Sequence, residues 1–506
     1  MNLKTTSPRT GETKALEVVA TPAADVIEIV AGATRASERL RRLSREDRAL
    51  LLEAIGDKLE ASRSQLVGLA DFETALGEPR LNGELTRTIY QLREFADVVR
   101  KGTLFEAIVD HPSDSAMGPK PDLRRILRPI GPVAVFGASN FPFAFSVCGG
   151  DTSSAIAAGN AVVVKAHSSH LETSIASFEC MKAAFIDRGF ESDAVGIVFG
   201  QEAARALIEA EDIAAVGFTG SVHGGRLLFD IANARPNPIP FYGELGSVNP
   251  LVVTPAAAAS RGSQIATDYA GSITLGSGQF CTKPGLFFVP SASAESMRQE
   301  LDKRFTETKP TWLLNKSTFE SYESATAELA KNPVFIDNFE SSTEADAGFS
   351  VKPKLFWAKL EDIAQVQDVM FTECFGPMAI AIEYDTLADV VALLKNMPGA
   401  LAASIHGEDT EHAELEELVE VLAENVGRLM WNGYPTGVAV SWSQTHGGPY
   451  PSSTAPLHTS VGATAIRRFL RPVTFQSMPD ALLPSELREV QDIDQKITRI
   501  VDTLIS

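Results

Sequence analysis

The sequence predicts an α/β fold, and three observations carry the prediction. From residue 129 short β-rich apolar runs alternate with helix-length stretches, the order that builds a parallel sheet covered on both faces. Ahead of them, residues 24–108 place Ala, Leu, Ile and Val at three- and four-residue spacing, the stripe of amphipathic helices. The runs also end in polar or glycine-rich stretches, GASNFPF (137–143), KAHSSH (165–170), GQE (200–202) and TGSVHGG (219–225). Ligands meet parallel sheets at that carboxyl edge.

Within the helical part, ADVIEIVAGATRASERLRRL and EDRALLLEAIGDKLEASRSQLVGLADFE supply the apolar stripes, and Ser44 precedes Asp47 by three residues, a capping-box variant with a short acid. Arg41, Arg42, Arg45 and Glu46 read as a solvated helix face and turn. The strand runs are GPVAVFG (131–137), AVVVKA (161–166), AVGIVFG (194–200), AAVGFTG (214–220) and PLVVT (250–254). A second α/β region follows, with helices expected at 292–305, 317–331 and 386–395 and strands near 350–357 and 378–384. Residues 427–476 are rich in Gly, Pro, Thr and Ser, which predicts extended and looped chain returning to an earlier domain or a neighbouring subunit. The last 25 residues read as an amphipathic helix. Domains are accordingly expected over 1–254, 255–430 and 431–506.

A chain of 506 residues with 44% hydrophobic and 22% charged residues has the composition of a soluble globular protein of two or three domains. Its formal net charge of −20 argues against nucleic acid or an anionic membrane as partner. The start, MNLKTTSPRTGETK, lacks the apolar core of a secretory signal, and no long uncharged apolar run follows, so a cytoplasmic protein is expected. Cys148, Cys180, Cys281 and Cys374 are far apart and form no CxxC pair, which suggests neither a disulfide framework nor a zinc ribbon. No metal site is expected.

The candidate chemistry centres on LGSGQFCTKPG (275–285), where Cys281 sits among residues small enough for ligands to approach. A free thiol is only a few per cent thiolate near neutrality, so partners must come from elsewhere. Asn140 in GASNFPFAF could donate its amide to an oxyanion, a contribution of roughly 3 kcal/mol; an Asn in a turn before Pro142 is the plainer alternative. Glu244 in PFYGELGSVNP ends an apolar run, a setting that suits a general base, while a solvated strand-end acid is the plainer alternative. Gly220, Ser221 and Gly225 open a helix whose amides could hold a pyrophosphate, without forming a GxGxxG fingerprint. Lys165 ends its strand within reach of ribose or phosphate oxygens or as an ordinary surface lysine.

Taken together, Asn140 in SNFPF, Lys165 after VVV, FTGS (218–221), GELG (243–246), GQFC (278–281) and ECFGP (373–377) resemble the NAD(P)-dependent aldehyde dehydrogenase superfamily, in order and with similar spacing. The resemblance implies a Rossmann-type cofactor domain, an α/β catalytic domain and an extended oligomerisation segment, in a homodimer or homotetramer. It implies Cys281 as nucleophile, Glu244 as deacylation base, and Asn140 with the Cys281 amide as oxyanion site. It further implies Glu373 on the nicotinamide ribose, Phe375 beside the nicotinamide, Lys165 on the adenosine ribose and Ser221 on the pyrophosphate. Cys374 is left as packing.

Many NAD-preferring members carry a Glu three residues after the lysine, whereas this chain reads Lys165, Ala166, His167, Ser168. Ser168 removes a carboxylate that would repel a 2′-phosphate, and His167 or His170 could add a donor, so NADP is expected ahead of NAD, with Glu202 as the opposing feature. NPIPFYGELGSVNP, WNGYPTGVAV, THGGPYPSST and TSVGATAIRRFLRPV are similar to the branch of 2-oxoglutarate semialdehyde (2,5-dioxovalerate) dehydrogenases and NADP-linked fatty aldehyde dehydrogenases. The small-molecule substrate expected is the semialdehyde. Medium- or long-chain and aromatic aldehydes, transfer of the acyl group to coenzyme A, and a catalytically silent binding protein are the competing readings. Lys283 and arginines of 427–472 are candidates for a remote carboxylate, and Phe141, Phe143, Phe145, Phe280 and Trp442 for an apolar tunnel.

Overall fold

The computed structural model describes residues 2–340, 345–490, 497–502 and 504–505. The polar start folds as an antiparallel hairpin of Asn2–Thr6 and Thr13–Val19. Four helices follow: α1 (Ala23–Leu40), α2 (Arg45–Ala61), α3 (Arg63–Thr74) and α4 (Glu78–Lys101). Ser44 caps α2 by accepting from the Asp47 amide at 3.0 Å, and its hydroxyl donates to the Asp47 carboxylate at 2.7 Å. Pro79 in the first turn of α4 and Gly102 after its last set its ends, the glycine at φ +66°. Leu81, Leu85, Leu92, Phe95 and Val99 bury one face of α4. A second face, with Arg80, Glu84 and Arg87, meets the 139–145 turn, where Glu84 Oε1 accepts from the Phe143 and Ala144 amides at 2.8 and 3.0 Å.

The first parallel sheet contains β1 (Val133–Phe136), β2 (Val162–Lys165), β3 (Gly196–Val198), β4 (Ala215–Thr219) and β5 (Phe241–Glu244), in the order β5-β4-β1-β2-β3. The order reverses between β1 and β4, which opens a crevice at their carboxyl ends. The second sheet contains β6 (Pro250–Val253), β7 (Leu286–Pro290), β8 (Phe335–Glu340), β9 (Lys354–Lys359), β10 (Met378–Tyr384), β11 (Ala400–His406) and β12 (Val426–Trp431), ordered β8-β9-β10-β7-β6-β11-β12. Only the β8–β9 pair is antiparallel. Central strands such as VAVF and LFFVP are buried at every position, as strands covered on both faces require. A buried Phe or Val side chain contributes roughly 1.5–3 kcal/mol, so these runs hold the sheets in place.

Two expectations need correction. PLVVT belongs to the second sheet, and Phe241–Glu244 completes the first, so the changeover between sheets falls between Glu244 and Pro250, ahead of the boundary expected at 254. A continuous apolar run signals burial on both faces but not which sheet supplies the neighbours. The C-terminal helix is also absent among the described residues. There, short turns at Asp480–Leu482 and Ser485–Leu487 are followed by Ile500–Val501, paired with Ile108–Asp110. Pro484 separates the two turns and keeps them from joining into one helix, and residues 491–496 of the expected helix lie outside the described residues.

The 427–476 segment does return to an earlier part of the chain. Leu470–Gln476 pairs antiparallel with Leu123–Pro129 in a third sheet. Among the described residues no helix is long and apolar enough to cross a membrane.

Candidate active site

Cys281 lies on a turn just before β7, and three consecutive left-handed residues lead into it: Gly276, Ser277 and Gly278 at φ +56°, +60° and +65°. Ser277 holds this conformation at a cost of about 1–2 kcal/mol. Gly278 lies so close to the Gly376 carbonyl and Pro377 that a Cβ there would collide with backbone. Gly278→Ala is therefore expected to destabilise the protein by about 2 kcal/mol and to remove most activity, as checked by urea unfolding and initial rates.

The turn is tied down from several sides. Asn249 Nδ2 donates to the Cys281 and Lys283 carbonyls, both at 2.9 Å, while its Oδ1 accepts from Ser247 Oγ and the Ala402 amide. Lys283 Nζ donates to the carbonyls of Cys374, Gly376 and Met378 at 2.7, 2.7 and 3.0 Å. Those bonds join the Cys281 turn to the ECFGP turn.

Around the half-buried sulfur, residues from distant segments converge. Glu244 ends β5, and its carboxylate is 4% exposed with no ordinary hydrogen bond to either oxygen. His446, 2% exposed, places Nε2 at 3.7 Å from Cys281 Sγ and 3.5 Å from Glu244 Oε1. Its donor atom, the sulfur and a Glu244 oxygen lie within 4.8 Å of one another, the one group among the described residues that could close on a metal ion. The imidazole arrives because residues 452–454 run alongside the end of β5: the Leu245 amide donates to Ser452 O, and the Thr454 amide to Gly243 O. The His446 amide donates to Thr459 Oγ1 at 2.8 Å. Asn140 Nδ2 donates to Gln279 O at 2.8 Å, and since an amide carries two N–H groups the second is left for another acceptor.

A cavity of about 850 Å³ opens over the thiol, lined by Asn140, Phe141, Phe145, Glu244, Glu373 and Phe375 among others. Burial, then the Glu244 and Glu373 carboxylates, push the Cys281 thiol well above its ordinary value, so proton removal needs a base at hand. Burial pushes Glu373 up to about 7 against the pull of Lys283. Its Oε2 occupies the space a side chain at position 246 would fill, which accounts for the second glycine of GELG.

The cavity continues into a groove of about 1120 Å³ along the ends of β2 and β4, and His167, Gly220 and Ser221 line both. Lys165, Arg205 and Gly224 line the groove, and Ser168 the cavity. Ser221 caps the helix Val222–Ala234, its Oγ accepting from the Gly224 amide at 3.2 Å. Burial lowers the pKa of Lys165. Burial, then His170 and Lys165, push His167 well down, so at neutral pH it offers a neutral N–H.

The pattern of the aldehyde dehydrogenase family matches residues 1–473. The chain belongs to that family. It is 41% identical over 453 residues to alpha-ketoglutaric semialdehyde dehydrogenase 2 of Azospirillum brasilense, covering 87% of this chain and 85% of the relative. It is 37% identical over 485 residues to alpha-ketoglutaric semialdehyde dehydrogenase of Acinetobacter baylyi, covering 95% and 91%. Among solved structures, aldehyde dehydrogenase 21 of Physcomitrella patens, in complex with the reaction product succinate, superposes with a TM-score of 0.79 at 19% identity, over 96% of each chain. This aldehyde dehydrogenase therefore has the fold expected from its motifs and the NAD(P) dependence of its family.

Several residues of the enzyme lie elsewhere than the sequence suggested. Lys283 is consumed by three carbonyls and cannot receive a substrate carboxylate. His170 is buried, with Nε2 2.8 Å from Ala138 O and Nδ1 3.1 Å from Ser174 Oγ, so it braces the 137–145 turn. Gly225 packs against Leu245 and Phe218, where a side chain would force the helix off the sheet, and Gly224 faces the groove in its stead. Phe143 is core and Trp442 is exposed, whereas Phe141 and Phe145 line the cavity and Phe280 packs edge-on to Phe141. Cys374 is a buried member of the second-sheet core, at the cavity edge. His446, Asn249 and Arg205 were not singled out. The signal for His446 was THGG, whose glycines let the loop lie against β11 and β12: a Cβ on Gly448 would strike Ala400 O, and one on Gly427 would strike Gly447 O.

Proposed function

We propose that the chain oxidises 2-oxoglutarate semialdehyde to 2-oxoglutarate, with NADP preferred to NAD. The observation that carries the chemistry is the approach of Cys281, His446 and Glu244 beneath a cavity continuous with a dinucleotide-sized groove. The names of the two relatives at 41% and 37% identity support the substrate.

His446 Nε2 takes the thiol proton, and the sulfur adds to the aldehyde carbon while the carbonyl pair moves onto oxygen. The second N–H of Asn140 and the Cys281 amide stabilise that alkoxide. When bound, the nicotinamide cofactor supplies the acceptor for the aldehyde hydride. Cys281 then carries a thioester, and Glu244 removes a proton from water as the oxygen attacks it. The carbon–sulfur bond breaks, its pair returns to sulfur, and the acid departs.

The groove fits a dinucleotide on its own features. The Lys165 side chain makes no hydrogen bond or ion pair among the described residues, and the first-turn amides of the Val222–Ala234 helix sit at the groove's rim. Lys165, Ser221 and Gly224 would hold the adenosine ribose and pyrophosphate, with Glu373 and Phe375 at the nicotinamide end. NADP preference rests on Ser168 in place of an acid and on Arg205 in the groove, even though Glu209 pairs with Arg205 at 2.8 Å. Glu202 is exposed and not among the lining residues. A carboxylate about 4 Å from a 2′-phosphate would cost roughly 4 kcal/mol at intermediate dielectric. The enzyme is further proposed to assemble as a homodimer or homotetramer through the segment that carries Leu470–Gln476.

Steady-state rates with 2,5-dioxovalerate, succinic semialdehyde, hexanal and benzaldehyde, each with NAD and NADP, test the reading. The oxo acid with NADP is expected to give the highest kcat/KM. A preference for hexanal beyond about tenfold, roughly 1.4 kcal/mol of transition-state binding, overturns the substrate. A preference for NAD overturns the cofactor choice.

A further inference from the structure

Lys283 is saturated by carbonyls, so a substrate carboxylate in this acidic chain needs positive charge from another element. Two arginines answer that need. Arg87 on α4 donates through Nη2 to Val438 O at 3.5 Å, and Arg428 on β12 donates to the carbonyls of Pro435 and Gly437. Both guanidinium groups therefore flank the same loop, 435–438. Neither forms an ion pair among the described residues, and Arg87 Nη1 is buried without any partner. Arg80, two turns earlier on the same face, also has a buried Nη1 without a hydrogen-bond partner, but its Nη2 donates to Asn140 O at 2.8 Å and lies 3.9 Å from Glu84.

Arg87 is joined to the reacting centre by aromatic contact. Its guanidinium lies 5.3 Å from the Phe145 ring centroid, and Phe145 lines the cavity with its ring 6.0 Å from that of His446. Burial lowers the pKa of both guanidinium groups, opposed at Arg87 by the Glu84 carboxylate and then by Cys281, and at Arg428 by Cys281. A guanidinium offers five donors in a fork that matches a carboxylate edge to edge, and a buried N–H without a partner is unfavourable until something accepts from it.

We propose that Arg87, with Arg428 across the 435–438 loop, receives the remote carboxylate of the aldehyde substrate and so selects short oxo-acid semialdehydes over uncharged aldehydes of equal length. The inference rests on the oxo-acid reading above. Phe145 walls the path between the two ends of the substrate, and Asn140 and Cys281 take the aldehyde end.

The test compares kcat/KM for 2-oxoglutarate semialdehyde and for pentanal, which has the same number of carbons and no charge, in full-length wild type, Arg87→Gln, Arg87→Lys and Arg428→Gln. Arg87→Gln is expected to lower the oxo-acid-to-pentanal ratio about a hundredfold, chiefly through KM, and Arg428→Gln about tenfold. Arg87→Lys, which keeps the charge but not the fork, is expected to recover part of the ratio, and it carries the test should the Gln variant not fold. Equal losses on both substrates would assign Arg87 to structure and overturn the anchor. A wild-type preference for the oxo acid that survives Arg87→Gln overturns the anchor alone, whereas a wild-type preference for pentanal overturns the substrate reading and the anchor with it.

Discussion

Cys281→Ala is expected to lower aldehyde-dependent NAD(P) reduction on the order of 10⁴-fold, the scale on which removing a nucleophile from an assembled site acts. Cofactor affinity, measured by fluorescence titration, should stay within about threefold of wild type, because Lys165, Ser221 and Gly224 belong to other strand ends. An unchanged rate would remove the nucleophile from the mechanism and favour a silent scaffold. The thiol also predicts its own pH behaviour. Burial and the Glu244 and Glu373 carboxylates raise it, and alkylating reagents consume the thiolate. Below such a raised pKa the thiolate fraction climbs tenfold per pH unit, so iodoacetamide inactivation of the cofactor-free enzyme should keep accelerating through pH 9. A plateau near pH 7 would contradict a raised thiol.

Glu244→Gln keeps the volume of the side chain and removes the base. One equivalent of NAD(P)H per active site is expected in a burst, followed by turnover slowed by about 10²–10³-fold. Mass spectrometry should find the acyl group on Cys281. His446→Ala, measured beside it, should slow the burst itself, since that imidazole lies 3.7 Å from the sulfur. If Glu244→Gln abolished the burst and left no adduct, Glu244 would act before the thioester, and its assignment to deacylation would be wrong.

Much of the fold was legible because parallel strands buried on both faces write themselves as apolar runs: the sequence placed a strand at 378–384, and Met378–Tyr384 forms it. The sheet to which PLVVT belongs was not legible, since composition records burial and not neighbours. The terminal helix failed for a related reason, charged periodicity being a weak signal beside prolines and a partner strand. Within the site, Cys281, Glu244, Asn140 and Glu373 stood in motifs with rigid spacing, and they converge on one cavity. His446 sits in a glycine- and proline-rich loop with no periodicity to mark it, and Arg87 reads as one more charge on a solvated helix. Their significance arises only when distant segments fold against one another.

The docking of residues 452–454 along the end of β5 has a consequence for how the protein is made. A growing chain that has emerged only as far as Trp431 already contains Cys281, Asn140 and Glu244, and every strand of both parallel sheets. It lacks His446, the imidazole that comes to lie 3.7 Å from the sulfur. The imidazole thus joins the sulfur and Glu244 only when the final part of the polypeptide is released and settles against the two parallel sheets, completing the third sheet as it does so.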